Sequence, residues 1–136
     1  MKMKSTIEVK VRYQETDQMG VVYHGNYFTW FEIARVQLLE DLGCPYRELE
    51  KKGYFLPVLH CSCDFIKPSR FGDDLRIDVN LLSFIKIRLS LVYVVSKENE
   101  IIARGKSIHA FVDRNGKARK PPPYFQGKCI KLIDKT

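Results

Sequence analysis

The segment from Asp17 to Trp30, DQMGVVYHGNYFTW, sets a carboxylate ahead of a histidine and the start of an apolar helix. A carboxylate can attack a carbonyl carbon or activate water for that attack. The first turn of a helix offers unpaired N–H groups, which can stabilise an oxygen that gains negative charge. His24 and Gly25 follow Asp17 by seven and eight positions, so this one segment could carry both halves of a catalytic site.

Each of these side chains also has a purely structural explanation. Asp17 could hydrogen-bond the backbone of its own turn, as aspartate often does in loops. The ring of His24 could act as a general acid or position a substrate, or the residue could be a corner in which only the backbone matters. Tyr23 is more often a packing residue, although its hydroxyl could orient Asp17. The residue pattern alone leaves these alternatives open.

The helix that would position the site is the strongest secondary-structure signal of the chain. Apolar residues recur with helical spacing from Tyr27 to Leu42. The spacing predicts a helix of about 25 Å, apolar around much of its circumference, with Asn26 as its N-cap. Gly43 stands where a glycine commonly ends a helix, and Pro45 prevents the helix from resuming. A helix this apolar must be covered by another part of the chain.

Alternating and apolar runs after the helix predict consecutive strands. With a first strand at Thr6–Val11, these runs are Phe55–Phe65, Leu75–Leu81, Ile87–Val95 and Ile101–Asp113. Small residues at Ala103, Gly105 and Ser107 share one face of the last strand and would let a helix lie close to it. The order predicts an α+β fold as a single domain over residues 1–136, with a curved antiparallel sheet of about five strands wrapped around one long central helix.

Composition narrows the class of protein. The 136 residues contain no run of roughly 20 apolar residues, and the charged N-terminus lacks the apolar stretch of a signal peptide. We therefore expect a cytoplasmic protein without an integral membrane segment. The cysteines lack the paired spacing of a zinc site, so we expect buried thiols and no metal. They are Cys44, Cys61, Cys63 and Cys129. The histidines His60 and His109 are too scattered in sequence to suggest a metal site.

The net charge of +7 indicates an anionic partner, such as a nucleic acid, an acidic protein or a phosphorylated small molecule. A nucleic-acid module would interleave basic residues with exposed aromatic ones. The aromatic residues here cluster on the helix that we expect to be buried, so we predict no nucleic-acid partner.

Two segments carry a resemblance to a known family. VRYQETDQMGVVYHGNYFTWFEIAR (11–35) and FIKPSRFGDDLRIDV (65–79) are similar to motifs of the hotdog-fold acyl-CoA thioesterases of the 4-hydroxybenzoyl-CoA and YbgC type. The similarity extends from the first strand to Pro122. The resemblance implies a hotdog fold and hydrolysis of an acyl-CoA thioester to a free acid and coenzyme A, without a cofactor.

The resemblance also implies roles for individual residues. The catalytic carboxylate falls on Asp17, as nucleophile or general base, and the backbone amides that polarise the thioester carbonyl fall at His24 and Gly25. We add the side chains of His24 and Tyr23 as candidate catalytic groups. Glu32 is a minor candidate, because related hotdog enzymes of another branch use a carboxylate on the helix; its alternative is a solvated or ion-paired side chain.

Coenzyme A carries a pyrophosphate and a 3′-phosphate, so basic residues at the mouth of a cleft would bind it. We predict Arg70, Lys86 and Arg88 for this role, against the alternative of a solvated basic face. The same charge would attract an acidic acyl carrier protein. The resemblance further implies a site completed at a dimer interface where two sheets join edge to edge, hence a homodimer or homotetramer. A non-catalytic protein that binds acyl-CoA or an acyl carrier protein is the alternative function.

Overall fold

The computed structural model describes residues 3–127. The main elements are β1 (Lys4–Lys10), a 3-10 helix (Tyr13–Glu15), α1 (Gly25–Asp41), α2 (Tyr46–Lys51), β2 (Val58–Phe65), β3 (Asp74–Ile85), β4 (Arg88–Lys97) and β5 (Glu100–Ala110). Throughout the described range, no helix is long and apolar enough to cross a bilayer.

The five strands form one antiparallel sheet in the order β1-β3-β4-β5-β2. Register shifts interrupt β2, β3 and the β4–β5 pairing, and such bulges bend a sheet. The long helix α1 packs on the inner face, where Trp30, Phe31, Ala34 and Leu38 join the apolar residues of β3 and β4 in one core. The α+β prediction of a curved sheet packed on one long helix is confirmed.

The start of α1 differs from the prediction, whereas its end agrees with it. His24 is the N-cap and Asn26 lies inside the helix, because the Asn26 amide instead donates to the carbonyl of Glu15 at 2.8 Å. At the other end Gly43 has φ +76°, and its N–H and that of Cys44 bond back to Glu40 and Leu39, each at 2.9 Å. This pair of bonds is a Schellman motif, which satisfies the last carbonyls of the helix.

The predicted close approach of the helix to β5 is confirmed at Gly105. A Cβ atom at this position would lie 2.4 Å from Cε2 of Phe31, so only glycine admits the ring. On the next strand Tyr93 stacks on Phe31 with ring centroids 4.3 Å apart. The aromatic stack fixes how α1 crosses the sheet, and with it the direction in which the helix start points.

The prediction missed α2 and misplaced some thiols. Gly43 ends α1 as expected, but Pro45 then serves as the N-cap of α2, which buries Leu49 completely in a second apolar cluster with Phe111 and Phe125. Strand β2 begins at Val58, three residues later than predicted. Cys44 is buried and Cys63 half-buried, but Cys61 is exposed on the edge strand, so the expectation of buried thiols is wrong there. Cys129 lies outside the described residues.

Candidate active site

Asp17 begins a tight turn in the loop before α1. Its N–H donates to the carbonyl of Val21 at 2.8 Å, its carbonyl accepts from Gly20 at 3.0 Å, and Gly20 has φ +79°. The side-chain Oδ1 accepts the N–H of Met19 at 2.9 Å. The structural explanation is thus correct for one oxygen. The side chain is exposed, and Oδ2 has no partner within residues 3–127, so this oxygen is open to solvent.

Glu15 ties this loop to the helix and was not foreseen from the sequence. Its side chain is buried, and Oε1 accepts the N–H of Arg12 at 2.8 Å while Oε2 accepts the indole N–H of Trp30 at 3.0 Å. Burial opposes the charge, but these hydrogen bonds and the Arg12 guanidinium together hold the pKa of Glu15 below its usual value. The backbone carbonyl of Glu15 accepts from the N–H of Tyr23 at 2.9 Å and from Asn26. The loop is therefore anchored to the helix start.

The first turn of α1 supplies free backbone donors. The amides of Asn26 and Tyr27 bond back to the carbonyls of Tyr23 and His24 at 3.0 and 3.1 Å. The amides of His24 and Gly25 have no acceptor in the part of the chain that the structure describes. Two unpaired N–H groups at the positive end of a 17-residue helix can receive a developing oxyanion.

Aromatic rings surround this helix start. The ring of Tyr23 lies beside that of His24, with centroids 4.4 Å apart, and Tyr27 meets Phe65 of β2 edge to face at 5.0 Å. A Cβ at Gly25 would lie 2.7 Å from Cε2 of Tyr23, so glycine lets the ring cover the backbone. No hydrogen bond to the Tyr23 hydroxyl is found among residues 3–127, so this structure does not show Tyr23 orienting Asp17.

The loop that precedes β3 closes the other side of the site. The N–H of Val22 donates to the carbonyl of Ser69 at 2.8 Å, and the Ser69 hydroxyl bonds that of Tyr27 at 2.8 Å. Val21 pairs with Arg70, whose exposed side chain lies next to the Asp17 loop in the chain fold. Arg70 is the one predicted coenzyme A residue that a single chain brings to the site.

Lys86 and Arg88 lie elsewhere. Lys86 occupies the turn between β3 and β4, with φ +57°, and Arg88 begins β4. The opposite end of β3, at Asp74, adjoins the site, and a strand of 12 residues spans roughly 35 Å. Within one chain the structure therefore does not bring Lys86 and Arg88 together with Asp17. Glu32 is exposed, seven residues beyond Gly25 on α1, and among residues 3–127 no hydrogen bond or ion pair joins it to Asp17.

His109 is a buried polar residue that the sequence presented as ordinary. Its Nε2 bonds the Ser107 hydroxyl at 2.8 Å, Ser107 bonds the Tyr93 hydroxyl at 2.6 Å, and Arg35 donates to Tyr93 at 3.3 Å. Burial, together with the charge of Arg35, lowers the pKa of His109 to about 4. His60, by contrast, is exposed on β2. In residues 3–127 no three His, Cys, Asp or Glu side chains converge as metal ligands would.

Residues 17–25 thus contain an exposed carboxylate and two unpaired amides at a helix start, which are the kinds of group that a site for hydrolysis of an activated acyl group requires. Such a site, on a five-stranded antiparallel sheet with one long helix, defines the class of hotdog-fold hydrolases. The family model of the thioesterase-like superfamily matches residues 11–128, and the chain belongs to that superfamily. The prediction that it is a thioester hydrolase is confirmed.

Relatives with names or solved structures agree with this membership. YneP of Bacillus subtilis, which carries the name putative acyl-CoA thioesterase, is 35% identical over 108 residues, which are 79% of this chain and 78% of YneP. A DHNA-CoA thioesterase from Staphylococcus aureus superposes with a TM-score of 0.93 at 28% identity, covering 96% of this chain and 91% of that one. A 4-hydroxybenzoyl-CoA thioesterase, 19% identical, shares the fold with a TM-score of 0.85 over 93% and 99% of the two chains. The predicted hotdog fold is confirmed.

Proposed function

We propose that this protein hydrolyses acyl-CoA thioesters to a free acid and coenzyme A, with Asp17 as nucleophile or general base. One observation carries the proposal: the same short segment contains an Asp17 oxygen that faces solvent and the unpaired amides of His24 and Gly25. Glu15 holds the two parts in place through its bonds to the loop and to the helix. The names of relatives such as YneP support acyl-CoA as the substrate class.

The chemistry follows from these groups. Asp17 either attacks the carbonyl carbon, giving a mixed anhydride that water then opens, or removes a proton from the water that attacks. The carbonyl oxygen gains the negative charge, and the amides of His24 and Gly25 stabilise it. The C–S bond breaks, coenzyme A leaves as a thiolate that takes up a proton, and the hydroxyl of water ends in the acid. His24 lies beside the same amides and is the candidate donor of that proton.

A homodimer would complete the site. The strand β2 pairs only with β5 in the sheet, and apolar side chains on or beside it, such as Leu59, Phe65 and Ile66, are about half exposed. An exposed apolar edge strand invites pairing with a second copy. Antiparallel pairing of two β2 strands would reverse the second sheet, so that its Lys86 and Arg88 end lies on the same side as Asp17 and Arg70. These three basic residues would then bind the phosphates of coenzyme A. Assembly into a homotetramer and a cytoplasmic location stay predictions from the sequence.

The test is the release of free thiol from a panel of acyl-CoA esters by the wild type and by Asp17→Asn. The amide keeps the shape and the bond to Met19 but loses the charge, so we expect turnover to fall at least a hundredfold with binding of the esters retained. Asp74→Asn, another exposed carboxylate, is the matched control and should keep full activity. A folded, fully active Asp17→Asn variant would falsify the assignment. Turnover of acyl carrier protein esters alone would change the proposed carrier from coenzyme A to the carrier protein and would leave the proposed mechanism unchanged.

A further inference from the structure

A groove and a cavity follow α1 away from the Asp17 site. The groove lies between the helix and the edge of the sheet, with a volume of about 220 Å³. Its walls include Phe28, Phe31 and Arg35 of α1 and Val58, Cys61 and Ser107 of the sheet. Phe28 stands one turn beyond Gly25, so the groove begins near the amides that would hold the thioester carbonyl.

The cavity lies deeper, beneath the second half of the helix. Its volume is about 130 Å³, and half of its lining residues are leucines, among them Leu38 and Leu39 of α1, Leu42 just after that helix, and Leu81, Leu89 and Leu91 of the sheet. An apolar cavity of about 150 Å³ stays dry and admits a hydrocarbon the size of benzene. The chemistry of this space therefore fits the end of a hydrocarbon chain.

Glu32 and Arg35 line both the groove and the cavity, so the two spaces lie on either side of this junction. Behind this junction the buried side chains of Tyr93, Ser107 and His109 satisfy one another, and half-buried Arg35 donates to the hydroxyl of Tyr93. No buried side-chain nitrogen or oxygen in the described residues lacks a partner. Burial keeps the ring of His109 uncharged at neutral pH, its pKa being about 4. Arg35 keeps further N–H groups, and the exposed Glu32 carboxylate has no partner among residues 3–127, so it is the apolar wall of the cavity beyond them that favours hydrocarbon.

We propose that the groove and the cavity form one channel for the hydrocarbon chain of the substrate, and that the protein selects straight acyl groups long enough to fill it. This inference rests on the proposed function. Arg35 lies ten residues beyond Gly25, about 15 Å along the helix. With C–C bonds of about 1.5 Å in a zigzag, a chain needs about 12 carbons to reach that junction, and about 16 to enter the cavity. Short acyl groups leave the cavity empty.

The first measurement is kcat/KM for straight-chain acyl-CoA esters of increasing length. Each methylene buried in the transition state raises kcat/KM by up to about fourfold, so we expect at least a hundredfold rise from about C4 to C12–C16. If kcat/KM does not change with acyl length, or is highest for short or hydroxylated aromatic acyl groups, the proposed channel is wrong and the proposed hydrolysis still stands.

A pair of variants on α1 tests whether the cavity causes the dependence of kcat/KM on acyl length. Val36 lines the cavity and is 38% exposed, so Val36→Phe fills the space with little risk to folding. Ile33, 49% exposed, lines neither space, and Ile33→Phe is the matched control. We expect Val36→Phe to lower kcat/KM for the C16 ester at least tenfold and to leave the C4 ester within twofold, whereas Ile33→Phe changes neither. An unchanged length profile in Val36→Phe overturns the proposal.

Binding of a free acid separates the two proposals. Hexadecanoate titrated into the wild type by calorimetry needs no catalysis, and we expect saturable binding that Val36→Phe weakens at least fivefold and Ile33→Phe does not. Binding without hydrolysis of any ester would sink the proposed function and uphold the channel. Hydrolysis with no such binding and no dependence on acyl length would uphold the proposed function and overturn the channel.

Discussion

The indole N–H of Trp30 donates to Oε2 of Glu15 at 3.0 Å, and both side chains are almost completely buried. A buried carboxylate is costly unless hydrogen bonds compensate it, and here Trp30 and the backbone and guanidinium of Arg12 do so. The bond spans the boundary between the Asp17 loop and α1. It links the loop that carries Asp17 to the helix whose first amides, at His24 and Gly25, are unpaired.

Removing the Glu15 side chain should lower the stability of the folded protein. Glu15→Ala leaves the buried donors of Trp30 and Arg12 without an acceptor, so we expect a loss of about 2–4 kcal/mol in the free energy of unfolding. Urea denaturation measures it. Glu8→Ala, an exposed carboxylate on β1, is the control and should change the value by less than about 0.5 kcal/mol. Equal losses in both variants would show that the Glu15 contacts contribute nothing particular.

Glycine at position 25 should matter more for turnover than for folding. Gly25→Ala adds a Cβ that would lie 2.7 Å from the exposed Tyr23 ring, which can move aside, and alanine is otherwise acceptable in a first helical turn. We expect stability within about 1 kcal/mol and a fall in kcat of about tenfold, because the methyl group and the displaced ring crowd the amides. In the double variant with Tyr23→Ala the crowding is relieved. Failure of that double variant to recover more activity than Gly25→Ala would show that Tyr23 is not the obstruction.

A charge on the edge strand should disrupt a dimer formed through β2. Leu59→Lys places a cation beside β2, where an apolar side chain is now 49% exposed, and such a charge blocks edge-to-edge pairing. We expect sedimentation to show dimers for the wild type and monomers for this variant. Leu82→Lys, at a 57% exposed position in β3, is the control and should remain dimeric. Identical masses for all three proteins would exclude β2 as the interface.

His109 predicts a loss of stability on mild acidification. Its pKa is about 4 in the folded protein against 6.5 for the free side chain, so the unfolded chain binds the proton first. Stability therefore falls as the pH drops from 6.5 to 4, by up to about 3 kcal/mol. Glu15, whose pKa is also lowered, stabilises fully above 4.5 and loses its contribution only below that pH. His109→Gln should flatten the profile between pH 6.5 and 4, whereas His60→Gln, at an exposed site, should not. A wild-type profile already flat over that interval contradicts the burial of a neutral ring.

The sequence alone predicted those features that periodicity and glycine chemistry determine. The apolar stripe of α1, its glycine end and the small face at Gly105 follow from local patterns, and Asp17 was selected by its place before the helix. The helix start was misjudged by two residues, because Asn26 resembles a cap by type while a tertiary bond to Glu15 occupies its side chain.

What the sequence could not supply depends on distant parts of the chain. Glu15 is charged and sits in a loop, so nothing local shows that Trp30 would bury it; the spacing of Arg12 and Glu15, three residues apart, was the only hint. Lys86 and Arg88 were grouped with Arg70 by charge, although Lys86 and Arg88 lie at one end of β3 and Arg70 lies near the other. The groove and the cavity form only where the helix packs on the sheet, so the sequence could not reveal them.

The groups proposed for bond breaking lie close together in sequence, within residues 15–27, whereas the walls of the channel come from α1 and from four strands that are distant in the chain. Substitutions at Leu89, Leu91 or Val36 could therefore alter the accepted acyl length without touching the segment that performs hydrolysis. An engineer could draw separate libraries for reactivity and for selectivity on this scaffold, and screen them independently. Gene duplicates of such a chain could likewise diverge in substrate range while keeping one reaction.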